Sequence, residues 1–86
     1  MNPHNGARKY LVTGASGYVG GRLVRALIDD KEDVRILVRD KNKIMGQPWA
    51  PLVDICEGSA ENFADLQMAL EGIHTAFYLL QSINLG

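Results

Sequence analysis

The chain has 86 residues, a formal net charge of -1 and 47% hydrophobic residues, the values of one small globular domain. That balance leaves no basic face for nucleic acid or an anionic membrane, and Cys56, the only cysteine, excludes an intrachain disulfide and a cysteine zinc cluster. No apolar run approaches the roughly 20 residues of a bilayer span, so a cytoplasmic setting is expected.

Residues 1–7 read as a polar tail with Pro3 and Gly6. The first strand is expected over Lys9-Tyr10-Leu11-Val12-Thr13, stopping at Gly14. From Gly17 to Asp29 the pattern turns helical. Val19, Leu23 and Leu27 recur at four-residue steps with Val24 and Ile28, while Arg22, Arg25 and Asp29 fall opposite. That is an amphipathic helix with one face on a sheet. After the polar turn Asp30–Asp33, Val34–Val38 is a second strand, mostly apolar as both-face burial requires. The charged stretch Arg39–Lys43 can start a short helix, and Gly46, Pro48 and Pro51 make 46–51 a loop. Leu52–Cys56 reads as a third strand. Asn62–Leu70 reads as a helix, with Phe63, Leu66 and Leu70 on one face, Asn62 as cap and Gly72 as stop. A fourth strand follows over Thr75–Leu80.

Strands alternating with helices imply an α/β domain with a parallel sheet and right-handed crossovers. The expected architecture is the N-terminal half of a three-layer Rossmann-type sheet, with about four strands over residues 8–86.

The most informative segment is Thr13-Gly14-Ala15-Ser16-Gly17-Tyr18-Val19-Gly20. Three glycines at three-residue steps lie between a strand and a helix. Gly14 permits a tight exit from the strand. Gly17 lets main chain approach a pyrophosphate, and Gly20 lets the helix pack close to the strand. The helix N-terminus offers free N–H groups and a positive dipole end to the phosphates, with the Ser16 hydroxyl as a further donor. A glycine triplet also occurs in ordinary turns; here an apolar strand, an amphipathic helix and a second strand surround it. A Walker-type loop is excluded, because no Gly-Lys-Ser/Thr follows the glycines.

The run Tyr10–Gly20, followed by Val34-Arg35-Ile36-Leu37-Val38-Arg39-Asp40, resembles the extended and atypical short-chain dehydrogenase/reductase superfamily. Its Gly-x-x-Gly-x-x-Gly spacing is the one that superfamily uses. The nearest flavour is the NmrA-like NAD(P)-binding group, whose fourth strand Ala76–Ser82 also resembles. The resemblance runs over about residues 8 to 83 and matches the first half of such a domain. It implies a dinucleotide site at Gly14, Ser16, Gly17, Tyr18, Val19 and Gly20. At the end of the third strand it implies an adenine contact, where an Asp usually stands and this chain has Ser59 and Ala60. At the end of the fourth strand Leu79 and Leu80 would pass beside the cofactor through their backbone; core packing explains them equally well.

The tip of the second strand selects the dinucleotide. An acidic residue there favours NAD, and an Arg accommodates the 2′-phosphate of NADP. Arg39 follows Val38 directly, so NADP is the expected cofactor. A guanidinium–phosphate pair contributes about 1.5–3 kcal/mol, roughly a tenfold to hundredfold preference. Lys43 offers a second positive charge. Both also read as solvated residues of a charged loop, and a strand one residue longer would bring Asp40 to the ribose and favour NAD.

The resemblance further implies a Tyr-x-x-x-Lys pair in catalytic members. Tyr10, Tyr18 and Tyr78 are followed at that distance by Gly14, Arg22 and Ser82, so the chain carries no such pair, no catalytic residue and no substrate region. It reads as the NADP-binding part of an oxidoreductase or epimerase, or as a non-catalytic NADP-sensing module. A further chain segment or subunit is expected to complete the sheet. An S-adenosylmethionine site is disfavoured by Arg39, because such sites want an acidic residue there. His4 and His74 read as solvated, Cys56 as a small core residue, Trp49 as a loop anchor and Tyr78 as packed against a helix.

Overall fold

The computed structural model describes residues 8–15 and 17–79. The expected tail and the candidate residues Ser16 and Leu80 lie outside that range. The described elements run β1 (Lys9–Thr13), α1 (Tyr18–Asp29), β2 (Asp33–Val38), β3 (Asp54–Glu57), α2 (Phe63–Leu70) and β4 (Thr75–Tyr78). The four strands form one sheet in the order β3-β2-β1-β4. Every pairing is parallel, with Val12 opposite Ile36 on one side and Phe77 on the other. This is the N-terminal half of a Rossmann-type fold.

The side-chain alternation of the central strands sorts residues to two faces. On one face Val12, Val34, Ile36 and Val38 meet Val24 of α1, with Leu23, Leu27 and Ile28 partly buried beside them. On the other, Leu11 and Leu37 meet Ala69 of α2, joined by Leu66, Cys56 and Ile73. The sheet is thus covered on both faces at its centre, which is why β2 reads as a nearly continuous apolar run.

Four expectations are corrected. The stretch Ala50–Leu52 is a short 3-10 turn, and the third strand starts at Asp54 instead of Leu52. Pro51 locks its own φ, and the amides of Leu52 and Val53 are taken by the Trp49 and Ala50 carbonyls. Val19 is not on the packed face of α1; it is 65% exposed, and Gly20 and Val24 are buried instead. The buried stripe of α2 is Leu66 and Ala69 continued by Ile73, with Phe63 78% exposed. Small Ala69 lets the helix lie close on Leu11 and Leu37. Tyr78 is exposed at the edge strand and belongs to neither core cluster.

The segment after β2 is well anchored. Ile44, Trp49 and Ala50 are buried in the α1-side core. Asn62 caps α2, its side chain accepting from the Asp65 amide at 2.9 Å, and Gly72 follows the helix with φ +76.

One polar side chain joins three elements. From β2, Arg35 donates to the Asp54 carboxylate of β3 at 2.8 Å and to the Ala69 and Glu71 carbonyls, also at 2.8 Å. It satisfies carbonyls at the C-terminal end of α2 and places a cation at the negative end of its dipole. The Arg35 hydrogen bond holds the Asp54 carboxyl below the ordinary carboxylate range; burial opposes this, and the charges of Arg35 and Lys9 add to it.

Removing this cation by Arg35→Ala is expected to cost about 1.5–3 kcal/mol of unfolding free energy in urea titrations at neutral pH. The folded-state value of Asp54 is depressed, so its contribution is fully present above the ordinary Asp range and is lost as pH falls through the folded value. The wild type therefore loses stability over that acid interval, and the variant loses less. An unchanged acid slope in Arg35→Ala would contradict the assignment.

Candidate functional site

All four strands run parallel, so their carboxyl ends open on one edge of the sheet. A hollow of about 480 Å³ lies there, lined by Thr13, Gly14, Leu37–Asp40, Lys43, Gly58, Ala60, Glu61, Tyr78 and Leu79. Its place follows from topology. The chain leaves β1 toward β2 and later crosses back to β4 on the other side of β1, and ligand crevices of open parallel sheets form where the order reverses.

Main chain closes the floor at this point. Gly14 has φ +83, and a Cβ there would sit 2.5 Å from the Leu79 carbonyl oxygen. Both the backbone angle and the approach of the chain after β4 therefore demand glycine. Gly20 is equally constrained, because its Cβ would fall onto the Gly14 carbonyl and within 2.8 Å of the Ala15 Cα. These two contacts bring the start of α1 against the end of β1.

Gly17 is the N-cap of α1, with extended backbone and no side-chain cap bond. Its own N–H is used, donating to the Gly14 carbonyl at 3.0 Å. The donors available to a ligand are those of the first helical turn, which lack intrahelical acceptors. No acidic residue stands in that turn, so the positive end of the dipole is uncompensated.

The rim at β2 is cationic. Arg39 and Lys43 are both exposed and line the hollow. Neither side chain has a hydrogen-bond or ion-pair partner among the described residues. The strand ends at Val38, and the Asp40 carboxylate caps the following turn by accepting from the Asn42 amide at 3.0 Å. The Glu57 carboxylate takes the Lys41 amide at 3.0 Å and the Val38 carbonyl takes the Gly58 amide at 2.8 Å. These bonds fix the ends of β2 and β3 relative to each other.

Five candidate residues, Gly14, Arg39, Lys43, Ala60 and Leu79, share this hollow. Gly17 and Tyr18 border a second one of about 330 Å³ with Arg22, Arg25 and Trp49. Tyr18 holds Arg22 there, its hydroxyl accepting a 2.9 Å bond and its ring lying 5.4 Å from the guanidinium carbon. The glycine turn is shared, giving Gly14 to one hollow and Ala15 and Gly17 to the other. Val19 points to solvent, and Gly20 is buried beneath the turn. Ser59 lines neither hollow. Its N–H donates to the Asp65 carboxylate, its hydroxyl oxygen accepts from the Glu61 amide, and its carbonyl accepts from the Asn62 amide. Sequence reasoning missed Thr13, Leu37, Val38, Gly58, Tyr78 and Glu61 as lining residues. Strand-end position carried the signal for the first five; Glu61 gave none, because a turn decides where it points.

The profile of the NmrA-like family matches residues 7–85. A 3-beta-hydroxysteroid dehydrogenase from Mycolicibacterium neoaurum is 34% identical over 77 residues, 90% of this chain and 20% of that protein. A short-chain dehydrogenase/reductase superfamily protein from Agrobacterium tumefaciens, solved with bound NAD, superposes with TM-score 0.66 and 27% identity. The match covers 91% of this chain and 22% of that one. A wide-type short-chain dehydrogenase/reductase from Veillonella parvula, in complex with NADP, gives TM-score 0.71 at 20% identity, covering 83% and 34%. The chain thus spans between a fifth and about a third of the length of these proteins.

The adjacent glycines of α1 make opposite demands. Gly20→Ala drives a methyl into backbone and is expected to cost about 1–3 kcal/mol or more. At Gly21 the nearest atom to an added Cβ is the Ala15 carbonyl oxygen at 3.7 Å, so Gly21→Ala gains up to about 1 kcal/mol of helix propensity. Urea titrations of the two variants check the signs; two losses of similar size would contradict the close approach at Gly20.

Proposed function

We propose that this chain, which belongs to the NmrA-like family, is the NADP(H)-binding portion of a short-chain dehydrogenase/reductase-like protein. The observation that carries this reading is the pair of cations, Arg39 and Lys43, unpartnered among the described residues, on the rim of a hollow that the Gly14 main chain helps to line. The nicotinamide dinucleotide is supported by the relatives, one of which was solved with NAD and another with NADP. The preference for NADP rests on this chain's own residues. Arg39 stands at the first position after β2 and can pair a 2′-phosphate bidentately, with Lys43 as a second charge. Asp40, the residue that would favour NAD, spends one oxygen on its own turn. The first turn of α1 would receive the pyrophosphate, with Tyr18 and Val19 turned outward, Gly17 admitting the close approach and Gly20 seating the helix on β1.

Bound there, the dinucleotide would supply hydride chemistry through its nicotinamide. The chain's part is to bind and orient it. Substrate recognition and any proton transfer would belong to the remaining length that the relatives possess. The same remaining length would pair with β4, the edge of the described sheet, where Ala76 and Tyr78 stand exposed. No helix among the described residues is long and apolar enough to cross a membrane, and we place the protein in the cytoplasm.

Titration of NADPH and NADH into the protein, followed by nicotinamide fluorescence, tests the reading. The wild type is expected to bind NADPH more tightly, and Arg39→Ala to weaken NADPH by about tenfold to hundredfold while changing NADH little. Equal losses for the two cofactors would remove the phosphate role from Arg39.

A further inference from the structure

We propose that Glu61 is the residue that recognises the adenine ring, by accepting a hydrogen bond from its exocyclic 6-amino group; this rests on the dinucleotide reading above. The family resemblance implies an adenine contact at the end of the third strand, at Ser59 of this chain. All three of its polar groups hold the turn between β3 and α2, and it stands outside the hollow. Two residues on, Glu61 lines the hollow with Gly58 and Ala60.

The acceptor inventory singles out this carboxylate. The lining residues include two carboxylates, Asp40 and Glu61. Asp40 accepts from the Asn42 amide. The Glu61 carboxylate has no hydrogen-bond or ion-pair partner among the described residues. Its main chain is nevertheless fixed, because the Glu61 amide donates to the Ser59 hydroxyl oxygen at 3.1 Å. Ser59 thus serves the site by aiming Glu61. The two sides of the hollow then divide the work. Arg39 and Lys43 at the β2 end offer only donors and positive charge, suited to phosphate. Glu61 at the β3 end offers only acceptors, suited to an amine. A purine with a 6-amino group and a phosphorylated ribose presents both complements at once.

A two-by-two binding experiment tests the pairing. The ligands are NADP and its purine analogue, in which hydrogen replaces the 6-amino group. The proteins are the wild type and Glu61→Ala, and the readout is the dissociation constant by calorimetry. The wild type is expected to bind the adenine form about tenfold more tightly than the purine form. Glu61→Ala should bind the two forms alike, weakened toward the adenine form and unchanged toward the purine form. Unchanged affinity for the purine form also reports an intact fold. If the wild type binds both forms equally, or Glu61→Ala weakens both by the same factor, the Glu61 role is overturned and the dinucleotide reading stands. If the wild type binds neither form, both are overturned.

Discussion

The structure depends on one place where three stretches of main chain come together without side chains between them. Gly14 lies under the carbonyl of Leu79, and Gly20 lies against Gly14 and Ala15. A single Cβ at either position would separate the end of β1 from its neighbour. Through Gly20 this contact sets the height of α1 over the sheet, and through Leu79 it sets how the chain leaves β4. The Thr13 hydroxyl reinforces the junction by donating to the Phe77 carbonyl at 3.3 Å. The crevice and the packing of the first helical turn therefore have the same cause, and neither can be altered alone.

The two ends of the sheet treat charge differently. Away from the crevice, Arg35 is consumed by Asp54 and the last carbonyls of α2, and Lys9 stands 3.6 Å from the same carboxylate. Charge there holds elements together. At the crevice, backbone bonds and the Asp40 cap tie the loops, while Arg39, Lys43 and Glu61 keep their charged ends unpartnered among the described residues. An unpaired exposed charge contributes nothing to folding. Three of them stand around one hollow, on loops whose main chain is fixed, and so remain available to a ligand.

Much of this was legible in the residues because the signals were periodic or stereochemical. Alternation and apolar runs located β1, β2 and β4, and the glycine spacing located the crevice. Two of the failures share a cause: local pattern cannot say how closely two elements approach. Val19 fits the helical stripe of α1 as well as Val24 does, yet at the first turn only Gly20 fits against β1. Phe63 is a better apolar anchor than Ala69 on any scale, yet the small residue lies on the sheet and the large one in solvent. The strand reading of Leu52 failed because Pro51 and the Trp49 carbonyl had already committed the backbone to a turn.

The β3–α2 turn carries the same lesson into function. The family resemblance points to Ser59 for the adenine contact, and its hydroxyl could bond the edge of the base. The turn overrides this, because Asp65 in the first turn of α2 reaches back to the Ser59 amide while Asn62 caps the same helix through the Asp65 amide. Asn62 satisfies a backbone donor that the start of α2 would otherwise leave bare, and Asp65 satisfies one in the turn before it. With the serine spent on the turn, Glu61, two residues on, is the carboxylate of this turn that lines the hollow. Which side chain of this turn lines the hollow is here decided by which residue the turn and helix cap leave over, a constraint of main-chain hydrogen bonding that sequence correspondence does not contain.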